Sequence, residues 1–161
     1  MATNVKVTPA SYEEKPVLRR LLELYLYDFT EFIGGDLNEH GEFVYRYLDH
    51  YWAPDAGETR LPFLVRVDGV LAGFALVRRV GDGPWKMAEF FVLRKYRRGG
   101  VGSRAARAVF QECPGPWEVH EVAANTPAQA FWRRVIGAAT GGQFDEEVNT
   151  DAVVQRFVIA R

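Results

Sequence analysis

Val92-Leu93-Arg94-Lys95-Tyr96-Arg97-Arg98-Gly99-Gly100-Val101-Gly102 joins an apolar stretch to a helical one through four basic residues and a cluster of glycines. Upstream, Trp85 to Leu93 reads as a strand. Downstream, Ala105, Ala106, Val109 and Phe110 recur at helical spacing, and Pro114 stops them. The glycines therefore sit where a strand hands over to a helix. A helix N-terminus presents unpaired N–H groups and the positive end of its dipole. Glycine lets a phosphate approach the backbone closely, and arginines add charge. The stretch predicts a pyrophosphate cradle.

Three readings compete for that cradle. A P-loop needs a Lys-Ser/Thr pair after its second glycine, and Gly102-Ser103-Arg104 does not supply one. A dinucleotide fingerprint fits loosely: Gly100-Val101-Gly102-Ser103-Arg104-Ala105 matches G-x-G-x-x-A, and Glu121 lies where the acidic partner is expected. Against it, the residues before the loop include a run of three strands, and too little chain follows to repeat βαβ units. The third reading is a loop for coenzyme A.

Working outward, Val5-Lys6-Val7-Thr8 alternates like a short strand. Ser11 with Glu14 forms a capping-box pattern, and Val17, Leu18, Leu21, Leu22, Tyr25, Leu26 and Phe29 predict a helix over residues 12–30. Phe43, Val44, Tyr47, Leu48 and Tyr51 predict a second helix, ending before Pro54. Pro62–Val67 and Val70–Arg78 read as strands joined at Asp68-Gly69, a hairpin signal. After the glycine loop come a strand from Trp117 to Val122, a helix from Pro127 to Ile136, and closing strands over 143–148 and 153–159. The order β-α-α-β-β-β-α-β-α-β-β predicts a single mixed α/β domain over residues 1–161.

Composition narrows the class of partner. A net charge of −1 over 161 residues argues against a general nucleic-acid or membrane-surface binder. The charge is unevenly spread. Residues 11–60 hold 11 acidic and 5 basic side chains, and residues 61–110 hold 3 and 10, so one region favours cations and the other anions. No apolar run approaches bilayer length. Met1-Ala2-Thr3-Asn4 lacks the basic flank and apolar core of a secretory signal. Cys113 is the sole cysteine, which suits a reducing, cytoplasmic setting. No metal site is expected.

The central stretch resembles motif A of the GNAT family of N-acetyltransferases, whose signature is Arg/Gln-x-x-Gly-x-Gly/Ala; Arg97, Gly100 and Gly102 fill it. Arg94 replaces the common proline. Glu121 through Trp132 is similar to motif B, with Asn125 after the fifth strand and Ala130-Phe131-Trp132 on the next helix. The resemblance covers nearly the whole chain. It implies a mixed, mostly antiparallel sheet flanked by helices, with the fourth and fifth strands splayed apart. It implies acetyl-CoA as cosubstrate: backbone amides of Arg98, Gly99, Gly100, Val101, Gly102 and Ser103 would hold the pyrophosphate. Backbone groups of Phe91, Val92 and Leu93 would pair with the pantetheine arm, and Asn125 would contact that arm or cap the helix. Arg94, Lys95, Arg97 and Arg98 are candidates for the phosphates, and one or two of them should touch one.

Acetyl transfer to an amine needs a base for the amine, a donor for the oxyanion and, in many cases, an acid for the thiolate. Glu89 lies in an otherwise apolar strand, where burial would raise its pKa; some GNAT enzymes place their base on this strand. His120 is the second candidate, five residues before Asn125, where certain N-terminal protein acetylases of the family carry a glutamate. A backbone N–H near Val92 would serve the oxyanion. Many relatives have a tyrosine acid where Trp132 stands, and an indole N–H cannot take that part. Another group would serve, with Tyr25, Tyr27, Tyr45, Tyr47 and Tyr51 open, or the thiolate leaves unassisted. Trp132 would then wall the coenzyme pocket.

In the family, the first two helices and their loop shape the acceptor site. Here Tyr27, Asp28 and Glu31 combine an aromatic with two carboxylates, which suits a cationic small-molecule or peptide amine. A homodimer is compatible with the sequence. The expected function is acetyl transfer from acetyl-CoA to a primary amine; the alternative is a non-catalytic acyl-CoA-binding sensor or interaction module.

Overall fold

The hairpin signal at Asp68-Gly69 is met: both residues have positive φ, 50° and 83°, the geometry of a type I′ turn. It joins β2 (Glu58–Val67) to β3 (Val70–Val80), antiparallel along their length. The computed structural model describes residues 3–161, so Met1 and Ala2, part of the stretch read for a secretory signal, lie outside it. Around the hairpin stand β1 (Val5–Pro9), α1 (Lys15–Phe29), β4 (Trp85–Val92) and α2 (Val101–Glu112). They are followed by β5 (Gly115–Val122), α3 (Thr126–Thr140), β6 (Asp145–Val148) and β7 (Ala152–Ile159). The seven strands form one sheet ordered β1-β2-β3-β4-β5-β7-β6. Every pairing is antiparallel except β4 with β5.

Alternation along the strands sorts the core into two layers. On one face, Leu64, Phe74, Leu76 and Phe91 pack with Leu18, Leu21 and Leu22 of α1. On the other, Phe63, Ala75, Val77, Met87, Trp117 and Val119 pack with Val109 and Phe110 of α2 and Trp132 and Ile136 of α3. Each such buried Phe or Leu contributes about 1.5–3 kcal/mol. Among the described residues no helix is long and apolar enough to cross a membrane.

One expectation fails. Residues 43–51 do not form a second helix; only Leu48–Tyr51 coil, as a single 3-10 turn. The Glu23 carboxylate of α1 accepts the Phe43 and Val44 N–H groups at 2.9 and 3.2 Å, and Val44 has a φ of 56°, which no right-handed helix tolerates. The apolar residues that mimic helical spacing are those by which a strap crosses α1 and the sheet; Leu48 and Tyr51 are buried there. The capping box is present, with Glu14 accepting the Ser11 N–H at 3.2 Å, but it opens one 3-10 turn before α1 begins at Lys15.

Two features of β4 create the functional gap. Its pairing with β5 is confined to Trp85↔Trp117 and Lys86↔Glu118. Just beyond, the register with β3 slips: Val77 opposes Met87 and Leu76 opposes Glu89, so Ala88 is bulged out. A bulge bends its strand and increases its twist, and here it turns β4 away from β5. The splay expected from the resemblance is thus built by the bulge.

Candidate functional site

The handover read from the sequence is a short connection, with a 3-10 turn at Arg94–Tyr96 and then the glycines, running straight into α2. Gly100 caps the helix with a φ of 78°, a conformation glycine adopts freely. Arg98 takes a φ of 65° without that freedom, a strained non-glycine backbone of the kind found at functional sites. The first bond of the helical ladder runs from the Arg104 N–H to the Gly100 carbonyl at 3.1 Å. The N–H groups of the first turn before it are open to a ligand. Gly102 has a second reason to be glycine: an added Cβ would lie 3.0 Å from Cε2 of Phe131 on α3. It therefore sets the close approach of α2 and α3 as well as the backbone's access to a phosphate.

A cavity of about 1180 Å³ runs from this helix end through the β4–β5 gap to the C-terminal end of α1. Arg97, Arg98, Gly100, Gly102 and Ser103 line one end; Glu89 to Val92 and Val119 to Val122 form its walls; Asn125, Phe131 and Trp132 close it from α3. Open amides, flanking arginines and a long gap fit an anionic head on a narrow arm, the shape and charge of an acyl-coenzyme A.

Within that groove the structure redistributes several expected roles. The Leu93 N–H donates to the Ala72 carbonyl at 2.8 Å, so Leu93 belongs to the β3 ladder. In an antiparallel pair successive residues turn their backbone groups to opposite sides, which gives Phe91 to β3 as well. Of the three expected pantetheine partners, Val92 alone turns its backbone to the gap, and its carbonyl already accepts from Arg97 Nε at 2.8 Å. Phe90, unremarked in the sequence, shares that orientation. Gly99, Val101 and Leu93 do not line the cavity, and Val101 is buried beneath the cradle.

Trp132 lines the cavity yet is only 5% exposed. Its ring packs on Phe90 at 5.1 Å and Phe110 at 6.3 Å, as a core residue whose edge forms the wall. Asn125 caps α3, its Oδ1 accepting the Ala128 N–H at 3.1 Å. Asn125→Ala is expected to lower stability by about 1 kcal/mol in denaturant titration.

The two base candidates differ sharply. Glu89 sits opposite Leu76 and so faces α1. Its Oε2 accepts the Tyr25 hydroxyl in a short hydrogen bond. Burial pushes its carboxyl above the usual carboxylate range, and hydrogen bonds from Tyr25 and Tyr45 only partly oppose that. Burial and the neighbouring Glu89 in turn push the Tyr25 hydroxyl well above its usual pKa, so it stays protonated. Behind it, burial pushes Tyr51 up to about 12, and its hydroxyl, close to Tyr45 and Arg60, is aligned with no partner among the described residues. His120 is exposed and its Nε2 is engaged by Glu118. The hydrogen bond from His120 lowers Glu118 most; burial pushes the other way, but Arg156 and the Lys86 charge add to the lowering and hold it at about 2. His120 lines the cavity, but beside a surface ion-pair cluster rather than a desolvated carboxyl.

The acceptor-side residues do not converge. Asp28 bridges Arg94 and Arg97 at 2.6 Å each. Partial burial raises its pKa, but hydrogen bonds from Arg97 and Arg94 outweigh that and hold it low. Its charge is engaged by the basic loop. Tyr27 is 64% exposed and lies outside the cavity. Glu31 stands in the cavity lining, exposed at the rim.

The groove also holds a residue that the sequence points to only through the dinucleotide pattern. Glu121 is 5% exposed and lines the gap from the β5 side. Burial raises its carboxyl to about 7, a push that the Gln155 hydrogen bond only partly opposes. The alternation Trp117, Val119, Glu121 is the signal that could have found it: a carboxyl at an inward strand position.

Known proteins share this architecture. The family model for the acetyltransferase (GNAT) family matches residues 18–138. No curated protein matches the chain by sequence. Among solved structures, an acetyltransferase from Thermus thermophilus superposes with a TM-score of 0.70 at 16% identity, covering 97% of each chain. The ribosomal-protein-S18-alanine N-acetyltransferase of Escherichia coli gives 0.64 at 14%, covering 98% of this chain and 96% of its own. The yncA acetyltransferase from Salmonella typhimurium, solved with its cofactor acetyl-CoA, gives 0.65 at 12%, covering 98% and 95%. At such identities the structures speak for the fold, and the family match, which spans most of the sequence, speaks for descent: the chain belongs to the acetyltransferase (GNAT) family.

Proposed function

We propose that the chain transfers the acetyl group of acetyl-CoA to a primary amine. The observation that carries this reading is the single groove that joins the open end of α2 to Glu89 through the β4–β5 gap. Amides at the start of α2, with Arg97 and Arg98, would hold the pyrophosphate. The pantetheine arm would lie between the splayed strands against Phe90 and Val92, and the thioester would reach the level of the bulge. A backbone N–H facing the gap, at Val92 or Phe90, would meet the developing oxyanion.

Glu89 is the base of this reading. Its desolvated carboxyl, hydrogen-bonded by Tyr25, would take the proton of an amine entering past α1. Glu31 at the rim would attract an ammonium-bearing small molecule or peptide N-terminus. Asp28 would act on the coenzyme side instead, orienting Arg94 and Arg97. The test is incubation with acetyl-CoA and a panel of monoamines, polyamines, amino sugars and peptides, following thiol release and acetylated product. Amine-dependent thiol release is expected. Tight acetyl-CoA binding with no turnover on any amine would favour the non-catalytic sensor.

A further inference from the structure

The reaction proposed above ends with a thiolate leaving, and Trp132 has no proton to give it. The groove holds another buried carboxyl that the mechanism so far leaves idle. Glu121 stands on the β5 wall, 5% exposed. Its Oε1 accepts from Gln155 Nε2 at 2.8 Å, and its Oε2 is buried with no partner among the described residues. Extending the parallel register Trp85↔Trp117 along both strands brings Glu121 level with Glu89, to within the one-residue slip of the bulge. The two carboxyls face opposite sides of the sheet: Glu89 lies toward α1, while Glu121, in step with Trp117 and Val119, lies toward α3.

We propose that Glu121 is the general acid that protonates the departing coenzyme A thiolate, across the gap from Glu89. This rests on the transferase reading above. The amine nitrogen attacks the thioester carbonyl carbon, forming the C–N bond, and its proton passes to the Glu89 carboxylate. The C–S bond then breaks with its electron pair on sulfur, which takes the proton from Glu121 Oε2. After coenzyme A departs, Glu89 releases its proton to solvent and the Glu121 carboxylate takes one up, so both groups return to their starting states.

The surroundings support a carboxyl that is protonated when needed. From β7 Gln155 donates to it; from β6 Glu146 faces the same amide at 2.9 Å; from α3 Arg133 pairs with Glu146 at 2.7 Å rather than with Glu121. No cation neutralises Glu121 directly among the described residues, and burial keeps its pKa at about 7, close to the working pH that general acid catalysis favours.

Glu121→Gln tests this, because an amide accepts the Gln155 hydrogen bond and fills the same space but cannot deliver a proton. With acetyl-CoA, kcat is expected to fall about 10²-fold while the KM for acetyl-CoA stays within about twofold. With S-phenyl thioacetate, whose thiol is more acidic so that its thiolate leaves without a proton, wild type and variant should turn over at similar rates. Infrared spectra should show, in the wild type at pH 6, a protonated-carboxyl band that is absent from the variant and shifts when coenzyme A is added. A folded-state pKa raised to about 7 stabilises the protein below the ordinary value of 4.5 and loses that stabilisation as pH rises through 7. The variant should therefore melt above the wild type at pH 8. Unchanged kcat, equal loss with both donors, or a band indifferent to coenzyme A would each overturn the role of Glu121. A wild type that binds acetyl-CoA yet acetylates no amine would instead sink the transferase reading beneath it.

Discussion

Glu89→Gln is expected to lower kcat/KM for acetyl transfer by at least about 10²-fold while leaving the Kd for acetyl-CoA within about twofold. The separation follows from where Glu89 sits. Its side chain faces α1 and Tyr25, on the acceptor side of the sheet, whereas the phosphate cradle lies at the start of α2. Loss of the carboxylate would therefore remove the proposed proton acceptor without touching a proposed phosphate contact. The pH profile carries the same information. Burial raises the Glu89 pKa above 4.5, so the wild-type rate should rise as pH climbs through that raised value, and the glutamine variant should lose this acidic limb. Tyr25→Phe should move the limb to still higher pH, since the Tyr25 hydroxyl stabilises the carboxylate. A Glu89→Gln enzyme with an unchanged rate and limb would transfer the role of base to His120 or to solvent.

Gly73→Ala is expected to destabilise the fold by about 3 kcal/mol or more, read as a lowered denaturant midpoint. An added Cβ would fall 2.0 Å from the Phe91 carbonyl oxygen. That obstacle is backbone within the β3–β4 ladder, so no rotamer change relieves it. The strands must separate or shift at Val92, on the same strand as the bulge and four residues beyond it. Coenzyme binding should weaken together with stability. By contrast, Gly34 and Gly35 have open space around them, and alanine there should leave both quantities nearly unchanged.

Much of the fold was legible because local signals and tertiary demands agreed. Asp68-Gly69 dictated its turn, and the glycines after Leu93 sat at the strand-to-helix handover that the structure contains. The segment 43–51 misled because its aromatic spacing satisfies two geometries, and the deciding contacts come from Glu23, some twenty residues away in sequence. The coenzyme groove was legible as chemistry but not as orientation. Strand parity, fixed by the Leu93 bond to Ala72, decides that Val92 and not Leu93 faces the gap. Asp28 shows the same limit: its helix position suited an acceptor ammonium, but Arg94 and Arg97 reach it first. The alternation of β5 marks Glu121 as inward-facing, but the Gln155 contact from β7 that engages one of its oxygens is not written in that strand's pattern.

On the reading above, the glycine loop and the splayed strands form an acyl-coenzyme A site. Calorimetric titration of the protein with acetyl-CoA and, separately, with NAD tests it most directly. Saturable heat with acetyl-CoA and none with NAD is the predicted result. Heat with NAD alone would return the loop to the dinucleotide pattern that Gly100-Val101-Gly102-Ser103-Arg104-Ala105 also satisfies, and would contradict the account.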